Sequence, residues 1–118
     1  MQEKQKMDQA GAWGWLAQRL TAALILVLLG IHFWVLHFSV IGERITFERV
    51  GDRLASPWFI ALDLALLATV LYHAFYGIRG IIIDMGLSPG ARAGLTWSLV
   101  LAGVAGFALG FLVLVAFL

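Results

Sequence analysis

The side chains of this sequence best suited to chemistry are its histidines, because neutral imidazole is a common metal ligand and titrates near physiological pH. His73 lies inside an apolar run, where an ionisable group is costly and ordinarily faces a bundle interior, a cofactor or a water-filled cavity. At about 100° per residue, His73, Gly77, Gly80 and Asp84 fall on one helical stripe. Two glycines beside an intramembrane histidine leave room for something flat. One reading makes His73 an axial ligand of haem iron, with its other ring nitrogen held by an acceptor. The other is a histidine hydrogen-bonded across a helix interface, with the glycines serving close packing. The remaining polar groups within apolar runs are Arg19, His32, Asp63 and Arg79, with His37 and Asp84 near run ends.

Membrane helices must position these residues. Of the 118 residues 62% are hydrophobic and 13% charged, and the mean hydropathy is +0.94, well above that of a soluble domain. A water-soluble fold of this size cannot hide so much apolar surface. Three apolar runs, about 13–38, 57–83 and 93–118, each exceed the roughly 20 residues that span the hydrocarbon core. They predict an all-α membrane protein, a single domain over residues 1–118, with three transmembrane helices in an antiparallel up-down-up bundle. So thin a bundle is expected to pair with a partner. Trp13, Trp15, Trp34, Trp58 and Trp97 stand near the ends of the runs, as an interfacial belt requires. Ser56 and Pro57 form a helix start, and Ser88, Pro89 and Gly90 mark a turn. Gly103, Gly106 and Gly110 make a small-residue packing face on the third helix.

The connection at about 40–55 interleaves Glu43, Arg44, Glu48, Arg49, Asp52 and Arg53 with Ile45, Phe47, Val50 and Leu54, which predicts a short, partly helical amphipathic segment on the membrane surface. Asp63 is expected to pair with an arginine such as Arg53. Lys4, Lys6, Arg19, Arg79 and Arg92 fall on one side of the membrane against Arg44, Arg49 and Arg53 on the other, which favours a cytoplasmic amino-terminal tail. A net charge of +1 argues for neither nucleic acid nor an acidic substrate. Without cysteine, the chain itself can form no disulfide or thiolate-bound iron–sulfur cluster.

The segment YHAFYGIRGIIIDMG, from Tyr72 to Gly86, resembles the second-helix motif of succinate dehydrogenase and fumarate reductase membrane anchors, in which a glycine follows the histidine by four residues and an aspartate by eleven. AQRLTAALI, from Ala17, resembles the arginine-containing first helix of the smaller anchor subunit. Gln18 stands where the larger anchor has histidine, and Met85 where the smaller commonly has a quinone-contacting tyrosine. The resemblance implies a prokaryotic inner-membrane cytochrome b subunit of respiratory complex II. Its partners would be a similar three-helix anchor, an iron–sulfur subunit and a flavoprotein that oxidises succinate in the tricarboxylic acid cycle. It makes His73 a ligand of haem b, brings Arg19 to a haem propionate or the quinone site, and sets Asp84 beside the quinone.

Depth then distinguishes the histidines. At about 1.5 Å per residue, His32 lies roughly 28 Å across from the Trp13 end and His73 roughly 15 Å, a difference of about 13 Å. They cannot serve one iron. Some anchors of this family carry two haems, so the expectation is His73 at a proximal and His32 at a distal haem, each completed by the partner anchor. This chain offers no soluble pocket for flavin or succinate; its task would be electron transport to quinone. The competing reading is a haem-free structural anchor. A proton-conducting subunit using Asp63, His73 and Asp84 is disfavoured, because Asp63 and His73 are about 80° apart on the helix.

Overall fold

The computed structural model describes residues 2–38 and 44–118, with side chains from Gly11 onward. The start of the polar connection, including Glu43, lies outside the described residues, as do the side chains of Lys4 and Lys6. In chain order the helices are α1, Gln2–His37; α2, Phe47–Leu54; α3, Pro57–Asp84; and α4, Pro89–Val115. No strand occurs among the described residues. Gly11–His37 of α1, all of α3 and all of α4 are long and apolar enough to cross a membrane. At 27 or 28 residues each, they reach about 40 Å, enough for the roughly 30 Å hydrocarbon core and its margins.

Two boundaries differ from the hydropathy reading, both because hydropathy reports lipid affinity rather than helicity. The polar tail continues the first span as helix back to Gln2. The third span begins at Pro89 rather than near residue 93, since Ser88 acts as a cap. Its hydroxyl accepts from the Ala91 amide at 3.3 Å, and Pro89 takes the first helical position. What the sequence presents as a turn is thus also a helix start. Gly86, at φ 85°, provides the reversal after α3 in a conformation that favours glycine.

Helix α3 is the centre of the bundle, with α1 and α4 both packed against it. Leu67, Leu71 and Phe75 form a ridge at i, i+4, i+8 that enters the glycine face of α4. A Cβ on Gly103 would stand 3.2 Å from the Phe75 ring and one on Gly106 3.6 Å from Leu71, while Gly110 meets Leu67 more closely still. Glycine is needed here because the α4 backbone itself forms the contact surface. The interior is slight: Ile60 and Leu62 are the buried hydrophobic residues among those described. Leu26, Trp58 and Ile81 are more than two-thirds exposed, and all five tryptophans are exposed, so lipid or a partner must solvate this surface.

Helix α2 begins at Thr46, whose hydroxyl accepts from the Arg49 amide at 3.4 Å. Val50, Arg53 and Leu54 turn towards the bundle, where they help line a chamber of about 190 Å³. Phe47 on the same helix is 82% exposed, which suits a short helix lying in the headgroup layer.

Candidate functional site at the α1–α3 interface

Polar side chains tie α1 to α3 at two levels, and each level contains one histidine. At the first, His73 Nδ1 is 3.1 Å from Thr21 Oγ1. The Thr21 hydroxyl donates back to the carbonyl of Ala17 at 2.8 Å, which leaves its oxygen able to receive the Nδ1–H of His73. That arrangement suits the tautomer whose Nε2 carries a lone pair. The Gln18 amide donates to the His73 carbonyl at 3.0 Å, while Gln18 Oε1 is buried without a partner among the described residues.

Gly77 has a different use from the one the stripe suggests. A Cβ there would come within 3.0 Å of Gln18 Nε2, so this glycine seats the glutamine and lets α1 approach. Gly80 has open space beside it. Only part of the glycine stripe is therefore free to face a flat group.

At the second level, His32 Nδ1 lies 2.8 Å from Asp63 Oδ1, with the side chains 30% and 20% exposed. A carboxylate accepts, so Nδ1 carries the proton and Nε2 is again the remaining ring nitrogen. This corrects the expected partner of Asp63, which is His32 across the helix interface rather than Arg53. Arg53 lines the same chamber, 6.0 Å over the Phe59 ring, with Nη1 buried and without a hydrogen-bond partner among the described residues. Pairing with His32 places the carboxylate on the α1 side of α3, which one-helix periodicity cannot reveal.

The levels are separated by eleven residues on α1, from Thr21 to His32, and ten on α3, from His73 to Asp63. The counts give about 15–17 Å along the bundle. The remaining candidates stand apart. Arg19 is exposed and stacks at 4.2 Å over Trp15, Asp84 is exposed at the end of α3, and His37 donates to the Phe33 carbonyl at 3.2 Å while stacking on that ring. Arg19 lies two residues from Thr21, about 3 Å along α1 from the first level, whereas Asp84 is eleven residues beyond His73, about 16 Å along α3.

Residues that composition alone overlooks are Thr21 and Gln18. Thr21 and His32, eleven positions apart, share a face of α1 within about 20°; that periodicity was the available signal. Among the described residues no three His, Asp or Glu side chains gather. A single imidazole suits an iron whose equatorial ligands come with a macrocycle. The donor set therefore fits haem: one oriented imidazole at each level, with its proton held on the far nitrogen.

Thr21→Val keeps the shape but removes the acceptor. Were His73 to hold a haem, the expected outcome, read by redox titration of the purified protein, would be a rise in its midpoint potential, because a less basic imidazole stabilises ferric iron less. A neutral hydrogen bond of about 1 kcal/mol sets a ceiling near 40 mV for one electron.

Three apolar spans, with polar contacts concentrated between α1 and α3, define an integral membrane anchor. Residues 2–118 match the family of succinate dehydrogenase/fumarate reductase transmembrane subunits, and the chain belongs to that family. It is 39% identical over 70 residues to a succinate dehydrogenase hydrophobic membrane anchor subunit of Archaeoglobus fulgidus, covering 59% of each chain. Identity to the anchor subunit of the same description in Thermoplasma acidophilum is 30% over 92 residues, covering 78% of this chain and 74% of the relative. For that of Rickettsia felis it is 32% over 79 residues, with 67% and 63% covered.

Proposed function

We propose that this chain is a haem b-binding anchor of succinate:quinone oxidoreductase. It would hold a flavoprotein and an iron–sulfur subunit at the membrane, beside a second anchor subunit, and help shape the quinone site. The observation that carries this reading is the 3.1 Å contact of His73 Nδ1 with Thr21 Oγ1, whose hydroxyl also reaches the Ala17 carbonyl: with Nδ1 engaged there, Nε2 would be the ligand atom at an intramembrane position. Asp63 orients His32 in the same sense, which supports a second, distal haem. Bound haem supplies a one-electron carrier.

The chain's own contribution is positional. His73 and His32 would hold iron at fixed depths, and the apolar walls would exclude water. Arg19 and Asp84 lie in the half of the bundle nearer the amino terminus, where five basic residues against three favour the cytoplasm. There Arg19 would meet a haem propionate or the quinone, and Asp84 would hold or pass a proton near a quinone oxygen.

A haem-free anchor is the second reading, favoured by the fact that each histidine already ties α1 to α3. A reduced-minus-oxidised spectrum with pyridine haemochrome quantification of the complex separates the two. Two haems b per copy are expected; one leaves His73 alone as ligand, and none establishes the structural role.

A further inference from the structure

Between α3 and α4, on another face from both histidine levels, lies a groove of about 510 Å³. Arg79 is about 120° around α3 from His73. The groove wall is apolar over most of its length, with Leu71, Phe75, Val100, Val104 and Phe107 among its residues, and none of its lining residues is acidic. Its cation is Arg79, with Nε donating to Thr96 Oγ1 at 2.8 Å. The Thr96 hydroxyl proton goes to the Arg92 carbonyl at 2.8 Å, so the threonine oxygen is committed as acceptor and the guanidinium is held in place. No carboxylate stands within ion-pair distance of Arg79 among the described residues.

We infer that this groove binds one anionic phospholipid, its phosphate on the terminal nitrogens of Arg79 and an acyl chain along α4. Depth and length both fit. Arg79 is five residues from the end of α3, about 7.5 Å inside it, where a guanidinium meets headgroups. From Thr96 to Ala108 the groove follows α4 for about 18 Å, close to the roughly 15 Å thickness of one hydrocarbon leaflet. Charge decides the headgroup class: a preset planar donor pair with no acid nearby selects a phosphate with uncompensated negative charge over a zwitterion. Arg92 at the same end adds positive field.

The test uses the intact complex, exchanged into nanodiscs of equimolar phosphatidylglycerol and phosphatidylcholine, then washed in neutral detergent. Native mass spectrometry and lipid extraction report what remains bound. One phosphatidylglycerol per chain is expected, reduced at least tenfold in Arg79→Gln and retained in Arg79→Lys. Val104→Trp fills the groove without touching the charge and should expel the same lipid, so the conclusion does not depend on Arg79→Gln assembling. Equal retention of phosphatidylcholine, equal retention in Val104→Trp, or recovery of a quinone in place of phospholipid would overturn the inference. So would protection of Val100→Cys from a lipophilic maleimide by the partner anchor. Each readout is independent of haem content.

Discussion

His73→Ala should remove a haem b from the complex outright, and with it a reduced-minus-oxidised absorbance band. The expected size is large because, if His73 holds the iron, that ligand bond is lost and neither other histidine of this chain stands at its level. His32 is about 15 Å away along the bundle, and among the described residues His37 is the remaining histidine, turned towards its own helix. If two haems are present, the spectrum should fall by about one of them while the other keeps its potential. An unchanged spectrum would reject His73 as a ligand. Loss of the α1–α3 tie alone costs about 1 kcal/mol, too little to prevent assembly, so complex recovered without haem would still be informative.

The second large effect concerns Asp63. Asp63→Asn replaces a charged acceptor of the His32 Nδ1 proton by a neutral one, and charge-assisted hydrogen bonds are roughly twice as strong as neutral ones. A carboxylate gives imidazole partial imidazolate character, which stabilises ferric over ferrous iron. If both histidines hold haem, the haem on His32 should therefore be the lower in potential of the two, since His73 has only a threonine behind it. In the variant its midpoint should rise by about 59 mV, equivalent to about 1.4 kcal/mol for one electron, while the haem on His73 stays unchanged. His32→Ala should halve the haem content. Should Asp63→Asn move neither potential, the His32–Asp63 pair would be a structural tie only.

The sequence carried the architecture well. Three apolar runs and the tryptophans at their ends suffice for three spans, because lipid tolerates little else. The stripe holding His73 was likewise readable, since it follows from helical periodicity on one helix. Which residues face one another is a property of two helices. The pairing of Asp63 with His32, the hydroxyl behind His73 and the glutamine over Gly77 depend on the register of α1 against α3, and no single-helix pattern encodes it. The amino-terminal extension of α1 and the start of α4 at Pro89 were missed for another reason. Polar residues in a helix that leaves the membrane lower hydropathy without ending the backbone ladder.

Apart from its two histidine levels, the interface of α1 with α3 is mostly smooth hydrocarbon, which in lipid offers little preference for one axial offset over another. Sliding α1 by one turn, about 5.4 Å, would carry Thr21 and Gln18 past His73 and His32 past Asp63 together, so that two imidazoles, a carboxylate and an amide lose their partners at once. The two levels thus act as a detent with a single seated position. The same contacts that orient the imidazoles also index the helices, so the spacing between the two rings is set by the peptide rise rather than by whatever occupies the sites.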